Sequence, residues 1–539
     1  MYSKHCKIWI FVMVVFTMLS CKPTFDEHVH NNVFALNLNA NLASLDPAFS
    51  KDQNSMWVCN MLYNGLVQMD SNLQVQPSIA KRWTISEDGI VYTFYLRDDI
   101  FFADNNLFPQ KRKVVAQDFV YSLGRIIDTN VASTGAWLFN GKVDSLQPFS
   151  APDDTTFVLR LQSPFRPMLG LLTLPYCAVV PHEVVSYWGK DFRIHPCGTG
   201  PFYLKKWKEN SAMILKRNAY YHERDAKGNR LPYLQGVRIT FIQDRGVEFL
   251  AFSQGKLDML NALDVQFKDK LIDIQGRLLS QWSNKLALDK MPYLNTEYIG
   301  ISLKGQSNKA LQDKRVRKAM NYAIDRDKLL QYLRNGIGTS AVSGIIPLGC
   351  MGYDSNVPNK YDYNPAYARL LLSEAGYPSG RGMAEITLST NPQYKDLMEY
   401  IAKNWEDIGI QVRLDVLQGG MLREAMRKHA LQLFRASWIG DYPDAENFLA
   451  LFYGKYDAPP NYTGFDDSYY NQLYQQMIKT TDNDEAIRLY QQMNLVLLEE
   501  SPVIPLFYDE VIRFRPLYVK GLTPNAMNML DLRSVYFLE

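Results

Sequence analysis

The chain has 539 residues and a mass of 62.1 kDa, with 47% hydrophobic and 21% charged residues, a composition that excludes a disordered, collagenous or low-complexity protein. At roughly 100–200 residues per domain it should hold about three domains. Lys and Arg number 58 against 56 Asp and Glu, so the chain lacks the basic excess that draws proteins to nucleic-acid backbones.

The N-terminus reads as an export signal. Lys4 and Lys7 form a positive end, and Ile8 to Leu19 an uncharged apolar run, too short to span a bilayer and right for a secretory signal. The run ends in Met18-Leu19-Ser20-Cys21. This resembles the bacterial lipobox, in which a small residue precedes a Cys that is acylated and becomes the new N-terminus. The alternative is a plain signal cut elsewhere, with Cys21 incidental. On the lipobox reading residues 1–20 are a lipoprotein signal peptide and 21–30 a polar tether. Cleavage removes two of the 58 basic residues and no acid, leaving a neutral surface with no electrostatic case for anionic lipid or nucleic acid. Two acyl chains at Cys21 would anchor the protein stably to a membrane.

Strand signals dominate the first half. Gly89 to Leu96 alternates β-formers after a Glu-Asp-Gly turn, and Thr155–Leu161 and Val237–Ile242 are further strands. Gln117 to Ile127 has the i, i+3, i+4 spacing of an amphipathic helix. The second half switches to α/β units. Asp313 and Asp325 cap consecutive helices, the second ended by Gly336, and Asn364-Pro365 opens a third that ends at Gly376. Glu385–Thr390, Lys395–Ile408 and Gln411–Leu417 read as strand, helix and strand, a βαβ unit. Leu431–Ala436 is the next strand. No Pro/Gly/Ser-rich linker separates the halves, which points to domains that share interfaces or are built from discontinuous segments.

The sequence carries no motif for chemistry. GxSxG, GxxxxGK[ST] and HExxH are absent, and Gly336-Ile337-Gly338 lacks the third glycine of a dinucleotide loop. His28 and His30 read as solvated tether residues, and Asp482-Asn483-Asp484 lacks the Gly and Glu of a calcium loop. Of the six cysteines, Cys59, Cys177, Cys197 and Cys350 remain after Cys6 and Cys21 are set aside. Without a CxxC they do not suggest zinc. Export permits a disulfide, Cys177–Cys197 for example, and buried free thiols fit equally well. No enzyme activity, cofactor or metal is expected.

Several stretches in chain order resemble the family-5 extracellular solute-binding proteins, the peptide-binding components of ABC importers. They include Leu45-Asp46-Pro47, Tyr63–Val67, Pro77–Phe102, Val115–Ser122, Gly198-Thr199-Gly200-Pro201-Phe202 and Arg217–Tyr221. Arg317–Lys328, Ala368–Tyr377 and Trp438–Leu449 complete the series. The resemblance implies an α/β, periplasmic-binding-protein-like bilobal fold with mixed sheets and an extra inserted domain, three domains in all. Carried over, lobe I combines 30–63, 181–291 and 505–539, domain II is 64–180, and lobe III is 292–504. It implies a monomer on the periplasmic side of the cell envelope that delivers a peptide ligand to ABC permease subunits.

The resemblance also assigns a site. Asp441 matches the residue that takes a peptide's α-ammonium, a role that suits a carboxylate fixed in a dry cleft. Arg435 matches an arginine that faces the ligand's carboxylate end, with an intramolecular salt bridge as the equal alternative. Trp438 walls a side-chain pocket or packs in the core, and Arg427 is a further carboxylate candidate. Lys51 to Gln53 depart from the family's usual residues beside the ligand, with a Lys where oligopeptide binders can have an acid. Rival readings keep the fold for a nickel complex, haem or sugar, or make the chain a lipid-anchored structural or chaperone-like protein.

Overall fold

The computed structural model describes residues 31–261, 267–304, 308–358 and 360–538. The expected signal peptide, the tether and Cys21 lie outside the described residues. No helix among those described is long and apolar enough to cross a membrane.

The first body is built from two four-stranded sheets. One runs Val33–Asn37, Gly236–Thr240, Ala212–Arg217, Phe202–Lys208, with the first pair parallel and the others antiparallel. The other is antiparallel, in the order Ala80–Ile85, Val91–Leu96, Thr156–Arg160, Phe149–Asp153. The expected helix forms over Ala116–Ile127 and packs its apolar stripe on this sheet, with the Phe119 and Phe157 rings 5.8 Å apart. A single apolar cluster runs from Phe34 and Val237 through Phe94 and Phe157 to Val535. The segment 64–180 therefore shares its core with the segments that flank it. The Gly198-Thr199-Gly200 stretch is a packing joint. Gly200 N–H donates to Leu62 O at 3.0 Å, and a β-carbon at Gly198 or Gly200 would lie 2.1 Å or 2.4 Å from Leu62 backbone atoms.

The second body holds the βαβ unit. Ile386–Thr390 and Val412–Val416 pair in parallel around the helix Lys395–Glu406. Its helices begin as the capping residues predict: Asp313, Asp325 and Asn364 each accept a backbone N–H from the first turn. The Arg317–Lys328 stretch contributes two buried guanidiniums. Arg317 donates to the carbonyls of Leu311, Gln312, Glu500 and Ser501, and Arg326 to those of Asn321, Pro505 and Tyr361. They satisfy loop carbonyls that burial would otherwise orphan.

Two long strands join the bodies. Leu286–Ile301 and Val503–Pro516 run antiparallel, paired from Leu286↔Pro516 at one end to Gly300↔Val503 at the other. At one end Leu286, Ile512 and Phe514 pack with Phe252 and Leu260. At the other Ile299, Ile504, Leu506 and Phe507 pack with Val316, Ile386 and Leu433. The register breaks between these two cores, between Pro292 and Thr296 and again at Glu297/Tyr298, where unpaired residues loosen the ladder and bend the strand. The expected segment boundary at 504/505 falls inside a continuous strand whose Leu506 and Phe507 belong to the second body's core. The ladder breaks nearer Tyr508–Glu510.

Cys59, Cys177, Cys197 and Cys350 are all free and buried, so the Cys177–Cys197 bridge is not formed. Burial pushes the Cys197 thiol up to about 12, which keeps it protonated and unreactive.

Candidate functional site

The strand expected at Leu431–Ala436 runs instead over Leu433–Ile439, because Asn295–Ile301 pairs with it along its whole length. Arg435 and Trp438 are thus strand residues, and the loop begins only at Gly440. The other edge of this strand is paired at two residues only, Leu433 and Phe434, both with Ile386–Thr390. Among the described residues, Arg435–Ile439 keeps an open edge on that side.

Alternation along the strand sends Phe434, Ala436 and Trp438 to one face and Arg435, Ser437 and Ile439 to the other. Trp438 packs, half-buried, against the second body's core. Its Nε1 donates to Asn447 Oδ1 at 2.8 Å, and the same oxygen accepts the Asp441 N–H at 3.2 Å. The indole thus packs on that core, and through Asn447 it is tied to the turn that carries Asp441.

Asp441 is half-buried and has no ion-pair partner among the described residues. Burial pushes its carboxyl up from 3.8 to about 6, a hydrogen bond from Asn447 opposing. Its loop meets the first body. Tyr442 belongs to the first body's apolar cluster, and its β-carbon lies 3.5 Å from where one at Gly170 would stand. Tyr176, also in 64–180, is close enough to feel the Asp441 charge. The carboxylate therefore sits where the two bodies face each other. A separate pocket of about 260 Å³, lined by Asn60, Met69, Leu174, Pro175, Asn525 and Met527 among others, includes no residue of the Leu433–Asp441 segment.

Arg435 lies at the opposite end of the strand in a different state. It is 7% exposed, and its guanidinium is paired with the carboxylate of Glu297, which is 4% exposed. The Tyr394 ring covers it, 3.2 Å from guanidinium carbon to ring centre. Of the two readings left open by the sequence, the intramolecular salt bridge is the one formed. Burial pushes the Glu297 carboxyl up and Arg435 holds it back. Asn295 links this pair to a second one, Asp509 with Arg334 at 2.5 Å.

Arg427 is not brought to this site. It ends the helix Gly419–Arg427, exposed, with both contacts to Glu424 at 2.8–2.9 Å. Lys51 is exposed, and Asp52 caps the helix Gln53–Leu62 by accepting Ser55 N–H at 3.0 Å.

A second polar cluster lies beside Asp441, with no local cue in the sequence. Glu446 is buried and accepts the hydroxyls of Tyr442 and Tyr474. Asp444 accepts the hydroxyl of Tyr490 and lies 3.8 Å from Arg166 of the first body. Burial raises both carboxyls, and the tyrosine donors oppose it. These acids fix the loop rather than face a cleft. Only Asp441 of this acidic run is left without a side-chain cation or hydroxyl donor among the described residues.

Residues 74–460 match the family model for bacterial extracellular solute-binding proteins, family 5. The chain is 26% identical over 485 residues to the glutathione-binding protein GsiB of Salmonella typhi, covering 88% of each. Among solved structures, HbpA2 from Haemophilus parasuis superimposes with a TM-score of 0.82 at 24% identity, over 94% of this chain and 100% of that one. The periplasmic binding protein DppA from Helicobacter pylori, in complex with the peptide STSA, gives 0.75 at 23% identity, over 94% and 98%. At these identities the structural matches establish the fold, a mixed α/β architecture of the periplasmic-binding-protein type.

Proposed function

Because the chain belongs to the family-5 bacterial extracellular solute-binding proteins, the solute-binding components of ABC importers, we propose that its ligand is a short peptide, held between the two bodies with its α-ammonium on Asp441. The observation that carries this reading is an open strand edge, Arg435–Ile439, that runs into an unpaired, half-buried carboxylate. A peptide backbone adds to such an edge as an extended strand, which gives affinity without demanding a sequence. Its ammonium then meets a carboxylate already withdrawn from water, where a charge-assisted bond is strongest.

Closure follows from the two-strand connection. Residues from Phe34 to Met259 contribute to one apolar core with Val519, Leu522, Leu530, Leu532 and Val535 and move together. The second body swings about the broken register at Pro292–Thr296, and the closed form engages the permease. The protein works as a monomer, held to the membrane through acyl chains on Cys21. Cys21→Ser should release the mature chain from membranes, as fractionation would show.

Calorimetry tests the ligand reading. Asp441→Ala should weaken peptides with free amino termini far more than their N-acetylated forms. Equal loss for both would reject the role of Asp441.

A further inference from the structure

We infer that Glu297 is a specificity-determining residue of the inter-lobe site: it supplies, from within the protein, the carboxylate that Arg435 would otherwise take from a ligand. The site then selects a peptide by its ammonium end and is indifferent to a free C-terminal carboxylate. The inference rests on the peptide reading above.

The geometry makes the two groups the ends of one ruler. A β-strand rises roughly 3.3 Å per residue, so a peptide laid along this edge with its ammonium at Asp441 brings its terminus abreast of Arg435 after about five residues. An arginine standing there would clamp that terminus with its planar fork. Glu297 reaches the fork first. It projects from the neighbouring long strand, where it pairs in register with Ser437 while Ile299 pairs with Arg435. Its carboxylate contacts one terminal nitrogen of the guanidinium, Tyr394 covers the guanidinium face at 3.2 Å, and Nε has no partner. The cation is thus neutralised and covered, yet not saturated with acceptors. The other arginine of this wall, Arg334, is likewise neutralised, by Asp509 at 2.5 Å. Lys51 is exposed and hydrated, and such a charge contributes little. Among the described residues, the strand end opposite Asp441 offers a carboxylate no unneutralised buried cation.

The test is calorimetry on the full chain with alanine peptides of two to six residues, each as the free acid and as the C-terminal amide. Wild-type protein should bind acid and amide within about threefold of each other at every length. In Glu297→Gln, which keeps the shape of the side chain and removes its charge, Arg435 is no longer cancelled. The acids near five residues should then bind at least tenfold tighter than their amides, with the amides little changed. Glu297→Asp, which shortens the carboxylate and loosens its hold, is the second variant and should move in the same direction. Tenfold preference of the wild type for the acid overturns the inference and leaves the peptide reading standing. Equal binding by well-folded variants also overturns it. Failure of the wild type to bind either series overturns the peptide reading, and the inference falls with it.

Discussion

One strand, Leu433–Ile439, leads to two charges, one buried and one half-buried, handled in opposite ways. Near its start Arg435 is neutralised by Glu297 and covered by Tyr394. Past its end Asp441 keeps its carboxylate without a cation, and burial pushes its pKa up to about 6. A charge withdrawn from water and left unpaired is costly, and proteins retain one where something outside the chain will pair with it. The lesson of the pair is that the ligand's place is marked by the charge the fold leaves unanswered. A guanidinium already answered from within marks a wall.

The sharpest way to break this comparison is to unbalance the answered end. Glu297→Ala leaves Arg435 buried with no counter-charge, which typically costs about 3–5 kcal/mol. Denaturant unfolding should show the loss. Replacing both members by Met should recover most of it, since a packed apolar pair often matches a buried ion pair. At the open end the effect should fall on binding. Asp441→Ala removes one partner of a charge pair that forms only in the complex, worth about 2–5 kcal/mol in affinity for free-amine peptides. N-acetylated peptides should change little by calorimetry. If Asp441→Ala instead unfolds the protein as Glu297→Ala does, the two ends are alike and the distinction fails.

Much of this was legible in the sequence, for reasons that can be named. Helix starts at Asp313, Asp325 and Asn364 were readable because a cap is a local signal, one side chain answering one turn. The βαβ unit was readable because its periodicities switch cleanly between Glu385 and Leu417. The crossing strands Leu286–Ile301 and Val503–Pro516 were not identified. Strands that pass from one core to another have no single buried face, so their alternation is interrupted, as at Tyr293–Asn295. The partner of Arg435 was unreadable for a related reason. Glu297 lies 138 positions away, and only the register of the sheet brings the two together. Arg427 was carried over from the resemblance across an insertion, where the alignment blurs, and the fold puts it at the exposed end of its helix beside Glu424.

Acidity sharpens the contrast by an intermediate amount. The unfolded chain ionises Asp441 near 3.8, whereas the free folded protein holds that proton to about 6. The stability this proton contributes is full below 3.8 and is lost as pH rises to 6, a change on the order of 3 kcal/mol. Asp441→Asn carries no such term. Urea midpoints of wild type and Asp441→Asn without ligand should therefore diverge between pH 4 and pH 6, with the variant the more stable of the two at neutral pH. Ligand binding runs the other way. A free-amine peptide needs the ionised carboxylate, so its affinity should fall as pH drops below about 6, by up to tenfold per unit, while the N-acetylated form stays level.

The smallest effect belongs to the residue that the fold turned away. Arg427 and Glu424 form an exposed i,i+3 pair on the last turn of their helix, and such pairs contribute about 0.3–0.5 kcal/mol at most. Arg427→Ala should shift the unfolding midpoint by no more than this and leave peptide affinity unchanged, for acids and amides alike. A drop in affinity for the free acid alone would mean that the ligand's carboxylate reaches this helix when the lobes close. The strand Leu433–Ile439 would then no longer set the ligand's course, and the contrast between its two ends would lose its bearing on specificity.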